Sequence, residues 1–196
     1  MSDTLRREYH GEGLSESELA LTAWEQARGW VDDAVYRCVE RHDVPEPLAM
    51  SLATVDGAGR PDVRTVLMGF FDPAGPGFVA NLESAKGVQI AGNPAVAAAL
   101  VWPAKYRAIR FRGMARPLGR EEAEGYWGEH PWGSRISAWA SRQSQVIESR
   151  SMAGSGLPAV CRQVARPRRR QRCPHPRLLG RFQDHLRRGG VLGRAD

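Results

Sequence analysis

Five short β-prone runs, each closed by a turn or a short linker, succeed one another between Leu48 and Leu118 and leave room for little besides an antiparallel sheet. "LAMSLATV" leads into the turn "DGAGRP", and "DVRTVLMGFF" into "DPAGPG". "GFVANL", "AVAAALVWP" and "RAIRFRGMARPL" complete the set. In the last run Ile109 and Phe111 fall on one face and Arg110 and Arg112 on the other, the alternation of a half-buried strand. Strands at hairpin spacing pair antiparallel, and such a sheet curls or closes into a small barrel. Between the third and fourth runs, "ESAKGVQIAGN" reads as a short helix with Ser84 as its N-cap.

Helices flank this core. "SESELALTAWEQARGWVDDAVYRCVE" reads as one amphipathic helix over about 16–41, opened by a Ser15–Glu18 capping box. Ala20, Trp24, Ala27, Val31, Ala34 and Cys38 recur at helical spacing as its buried stripe, and Pro45 and Pro47 end the region. "GREEAEGYWGEH" is a second helix, and "PWGSRISAWASRQSQ" a polar, tryptophan-bearing loop and helix. The expected class is α+β: an antiparallel barrel with flanking helices, occupying residues 1–150.

Charge separates this body from the C-terminal tail. The chain has 196 residues, suited to one domain with a real core, and a formal net charge of +6. Residues 151–196 hold 11 Arg and 2 acidic residues, whereas the first 150 carry a net charge of −3. All six Trp and all four Tyr lie in the first 150 residues, and the tail has no sustained period of 2 or 3.6. It is expected to be irregular and disordered. Its arginines also permit a nucleic-acid reading, which predicts steeply salt-dependent binding lost on deleting the tail. The mildly acidic body makes that the weaker alternative. Three cysteines argue against a disulfide framework and fit a reducing compartment. The N-terminus lacks an apolar leader core, and the longest uncharged stretch, Gly87 to Ala104, is broken by Gln89, Asn93 and Pro94. A cytoplasmic protein without a membrane partner is expected.

The sequence has no paired His and Glu of a zinc protease, no nucleophile elbow, no Walker loop and no CxxC. Gly75 and Gly77 are turn residues. Cys161, Cys173, His175 and His185 match no familiar zinc spacing, so no metal is expected. What the body offers is a place for an anion. Arg64 opens a strand after a turn, and Ser84 and Lys86 stand at a helix start, where backbone N–H groups and the helix dipole favour phosphate. From spacing alone, ordinary surface charge explains these residues as well.

Four segments, in order, resemble the pyridoxamine/pyridoxine 5′-phosphate oxidase family: "LRREYHGEGL", "EPLAMSLATVDGAGRPDVRTVLM", "GFVANLESAKGVQIAGNP" and "SRISAWASRQSQVIESR". The resemblance covers most of residues 5–150. It implies an FMN-binding split β-barrel, usually a homodimer with FMN at the subunit interface. It also implies oxidation of a small phosphate substrate, pyridoxine or pyridoxamine phosphate, to pyridoxal phosphate. Hydride passes to the flavin, and O2 reoxidises it. By this resemblance Arg64, Thr65, Val66, Leu67, Met68, Val79, Ala80, Lys86, Gln143 and Ser144 contact FMN. Tyr126, His130 and Ser134 take the substrate phosphate, and Arg6, Arg7, Glu8 and Tyr9 fold over the substrate. On spacing alone, Tyr126 reads instead as a core aromatic on a helix face.

The chain departs from the family pattern where Gly69 replaces a usual Lys, His130 an Arg, Ala85 an Arg and Ala108 a Gln. These losses bear on the substrate more than on the flavin, and a protonated His130 restores part of the lost charge. A diverged or impaired flavoprotein acting on another substrate, such as a phenazine-type precursor, is the alternative. The tail departs altogether. Re-read one nucleotide out of frame, with G/C-rich wobble bases, Leu178 to Arg194 becomes "FWGGFRIICDEVEFWGG", which is similar to the family's C-terminal region. A frameshift near Ser151 would explain the changes in charge and aromatic content together, and the coding DNA decides it.

Overall fold

A computed structural model describes residues 13–141 and 143–146, together with the backbone of 178–183 and 191–192. The five expected strands are all present: β1 (Ala49–Val55), β2 (Pro61–Asp72), β3 (Gly75–Asn81), β4 (Ala95–Trp102) and β5 (Arg107–Arg116). Every pairing among them is antiparallel. β1 lies between β2 and β4, and β4 also pairs with β5, so the sheet curls back on itself. The inward residues fill the curl. Phe78, Phe111, Met50, Leu52 and Leu100 are all at most 1% exposed. Ile109 and Phe111 are buried while Arg110 and Arg112 are exposed, as the alternation requires.

Two pieces of the tail correct the expectation of an irregular C-terminus. β6 (Leu178–Gln183) pairs antiparallel with β3 through Phe78–Gly180 and with β5 through Ala115–Phe182. It thereby closes β4-β1-β2-β3-β6-β5 into a ring. β7 (Val191–Leu192) adds a short pairing with β5. The physical reason is that a strand edge offers backbone N–H and C=O groups to any extended segment, whatever its side chains. Aromatic content and periodicity therefore do not report on this pairing. The rest of the tail, with Cys161, Cys173, His175 and His185, lies outside the described residues.

The N-terminal helix is also corrected. Ser15 and Glu18 cap only a one-turn 3-10 helix, Glu16–Glu18, after which the chain is non-helical to Thr22. α1 (Ala23–Glu40) has its own capping box: Glu25 N–H donates to Thr22 Oγ1 at 3.1 Å, and Thr22 N–H to Glu25 at 3.0 Å. The buried face is Ala27, Trp30, Val31 and Ala34, with Ala20 exposed. Ala20 precedes the helix, and Trp30, three residues after Ala27 and four before Ala34, joins the expected Ala27, Val31 and Ala34 on one face.

α2 (Ala85–Gly92) starts at Ser84 as expected, and α3 (Arg120–Glu129) and α4 (Trp132–Ala140) come after β5. Tyr126 on α3 stacks on Phe70 of β2, with centroids 4.6 Å apart. The Phe70 ring covers Gly77, where a Cβ would stand 1.8 Å from it. No described helix is long and apolar enough to cross a membrane.

Candidate functional site

β2 alternates outward Thr65 and Leu67 with inward Val66 and Met68, and the site is built against it. A cavity of about 330 Å³ lies against this strand, lined by Thr65, Val66 and Leu67 of β2 and by Val79, Ala80 and Asn81 of β3. Lys86 of α2, Trp127 and His130 at the end of α3, Ser134 and Ala138 of α4, and Ser141 and Gln143 complete it. One wall is apolar, and the other carries a cation, an imidazole, hydroxyls and an amide.

Lys86 is the centre of its charge. The residue is only 8% exposed, yet its Nζ donates only to uncharged oxygens, Gln143 Oε1 at 2.7 Å and Ser84 Oγ at 3.2 Å. Among the described residues no carboxylate pairs with it. Burial, and then the positive charge of Arg64, hold its pKa below the ordinary lysine value. A buried ammonium with neutral partners and a like charge nearby is a site that gains from an anion. Ser84, fully buried, fixes the start of α2 by accepting from Gly87 N–H and donating to Asn81 O at 2.6 Å. Lys86 is thus held on the first turn of a helix, where the dipole adds to its charge.

His130 caps α3, and its Nδ1 lies 2.7 Å from Tyr126 O. A carbonyl only accepts, so Nδ1 carries the proton and Nε2 is the nitrogen left to the cavity. The ring stacks on Trp127, with centroids 6.3 Å apart.

Of the residues expected at the site, Thr65, Val66, Leu67, Val79, Ala80, Lys86, His130, Ser134 and Gln143 line this one cavity. Four others stand elsewhere. Met68 points into the core at 4% exposure, because β2 alternates. Tyr126, half-buried, stacks on Phe70 and does not line this cavity. Ser144, in the left-handed region at φ 71°, lines a neighbouring cavity of about 850 Å³ between the β1–β2 turn and α2. Arg64 lines neither cavity; its guanidinium meets Thr54, Asp62 and Gln89 instead. Arg6, Arg7, Glu8 and Tyr9 lie outside the described residues.

Sequence reasoning missed the residues around Arg64. Thr54, 1% exposed, breaks an inward series that begins Met50 and Leu52, and a lone hydroxyl in that register was the available signal. Gln89 stands three positions after Lys86, on the same side of α2. Among the described residues no cluster of His, Cys, Asp and Glu forms a metal site.

An antiparallel barrel with an apolar cleft against β2 and a buried lysine at a helix start belongs to the split-barrel class of folds. Comparison with known proteins narrows the class. The pyridoxamine 5′-phosphate oxidase family model matches residues 40–154, and the chain belongs to that family. It is 43% identical over 148 residues to a pyridoxine/pyridoxamine 5′-phosphate oxidase of Ectopseudomonas mendocina, covering 75% of this chain and 67% of that protein. A Pseudomonas paraeruginosa protein of the same name is 44% identical over 147 residues, covering 75% and 67%. Among solved structures the fold is similar to PhzG from Burkholderia lata in complex with tetrahydrophenazine-1-carboxylic acid. That match has a TM-score of 0.74 and 22% identity over 89% of this chain and 82% of that one. A pyridoxamine 5′-phosphate oxidase-related, FMN-binding protein from Nostoc punctiforme has a TM-score of 0.59 at 18% identity, covering 91% and 100%.

Proposed function

We propose that the protein is an FMN-dependent oxidase that converts pyridoxamine or pyridoxine 5′-phosphate to pyridoxal 5′-phosphate, with O2 as acceptor. The observation that carries this reading is Lys86, a buried cation with no carboxylate partner among the described residues, set beside an apolar wall in one cavity. The relatives' name, pyridoxine/pyridoxamine 5′-phosphate oxidase, supports an oxidase for that substrate class.

The residues present fit FMN. A flat, apolar ring system suits Val66, Leu67, Val79 and Ala80, and a phosphate suits Lys86 with the N-terminus of α2. When bound, FMN supplies the redox chemistry, accepting a hydride from the substrate and passing electrons to O2. The protein's share is placement and charge. Lys86 neutralises phosphate, Gln143 fixes the Lys86 ammonium, and Tyr126 O holds the His130 ring so that Nε2 serves the substrate side.

We further propose a homodimer. Leu67 lines the cavity while 62% exposed, so the cleft is open on that side. Val63, Val88 and Val101 are likewise exposed apolar residues of β2, α2 and β4. A second copy covering such a face would exclude water from the cleft. Dimer elution on gel filtration supports this, and a monomer that binds FMN normally counts against it.

A second reading keeps the flavin and changes the substrate. At Gly69 an added Cβ would meet nothing nearer than Gly77 O at 3.9 Å, so packing does not demand the glycine, and the position supplies no cation. The deciding experiment is a flavin absorbance spectrum after FMN addition, then anaerobic titration with pyridoxine phosphate and with pyridoxamine phosphate. Bleaching of the flavin band is expected. Bound flavin that neither B6 phosphate reduces favours the second reading, and no uptake of FMN defeats both.

A further inference from the structure

Arg64 has five N–H donors, and protein oxygens take the four on its terminal nitrogens. Nη1 donates to Thr54 Oγ1 at 2.5 Å and to Leu52 O at 3.3 Å. Nη2 donates to Asp62 Oδ2 at 2.6 Å and to Gln89 Oε1 at 2.9 Å. The two sides differ in kind. Thr54 is fully buried and Leu52 O belongs to a paired strand, so the Nη1 side is fixed in the barrel wall. Asp62 is half-exposed, with its side chain at 50%, and Gln89 Nε2 braces the same Oδ2 at 3.3 Å. Asp62 and Arg64 are two apart on β2 and so share a face of the strand. The contrast with Lys86 is direct: among the described residues Arg64 is held by a carboxylate, and Lys86 has none.

We propose that Asp62 is an internal anion that occupies Arg64 and competes for it with a ligand phosphate at the N-terminus of α2, where Ala85 and Gln89, the partner of both Arg64 and Asp62, line the neighbouring cavity. This rests on the flavin reading of the site. Carboxylate and phosphate use the same guanidinium fork, so they are alternatives on Nη2. A half-exposed ion pair is weak enough for a phosphate to displace. Thr54 and Leu52 keep the Nη1 side in place, so the exchange needs only Asp62 and Gln89 to let go. Asp62 therefore sets how tightly a phosphate is held, and it is specific to ligands that carry one.

The test titrates FMN and riboflavin by quenching of flavin fluorescence into wild type, Asp62→Asn and Asp62→Ser. Both variants are expected to bind FMN about fivefold more tightly, the upper range for such a pair, and riboflavin unchanged, because it lacks the phosphate. Melting temperature in the presence of inorganic phosphate provides a flavin-free arm, in which both variants are expected to gain more than wild type. Equal or weaker FMN affinity in variants that melt like wild type overturns the inference and makes Asp62 a support for Arg64. If no protein takes up FMN but the phosphate arm shows the gain, the flavin reading fails and the competition stands. If wild type binds FMN and the variants gain nothing in either arm, the competition fails and the flavin reading stands.

Discussion

Lys86 is charged at a cost in the ligand-free protein. Its pKa is lowered, first by burial and then by Arg64, from the usual 10.5. The folded state therefore sheds this proton at a lower pH than the unfolded state does. Stability contributed by the site rises as pH climbs from the lowered value toward 10.5, because in that window only the unfolded chain holds the proton. Lys86→Met is expected to leave the ligand-free protein at least as stable at neutral pH and to flatten that alkaline rise. FMN affinity should fall roughly tenfold to a hundredfold, the worth of a hydrogen bond to a charged group. Thermal melts across the window and a fluorescence titration check both parts. Lys86 was legible as an anion ligand from its place after Ser84. Its burial without a carboxylate was not, because that depends on Gln143, far away in sequence, closing over it.

At the scale of elements, α2 is the piece that aims this chemistry. Its first turn presses on the loop before it: a Cβ at Gly87 would stand 2.3 Å from Leu82 O and 2.6 Å from its carbonyl carbon. These are backbone atoms and cannot swing aside. Gly87→Ala is expected to cost about 1–3 kcal/mol, as overpacking does, and to weaken FMN binding by displacing Lys86. A lower urea midpoint with an unchanged slope, measured beside FMN affinity, checks this. The element pattern itself was legible. Turns such as "DGAGRP" and the alternation about Phe111 placed β1 to β5, and Ser84 placed α2. The start of α1 is ambiguous in the sequence because Ser15–Glu18 and Thr22–Glu25 both form capping boxes, whereas its expected stripe of Ala27, Val31 and Ala34 is buried.

For the whole molecule the question is how the sheet closes. Among the described residues β6 fills the gap between β3 and β5, and it comes from a tail whose composition differs from the body. Truncation after Arg177 is expected to leave both edges unpaired, lower the melting temperature and promote aggregation. Melting and light scattering test it, and an unchanged melt would show that β6 adds nothing to the fold. The same division runs through the chain. Local periodicity, turns and caps were enough to place β1 to β5, α2 and most of the inward residues. Three-dimensional packing alone shows that β6 closes the ring, that Tyr126 stacks on Phe70, and that Arg64 meets Asp62 and Gln89 while Lys86 meets no carboxylate among the described residues. Those outcomes depend on backbone pairing and on side chains brought together from distant segments, and neither leaves a periodic trace in the sequence.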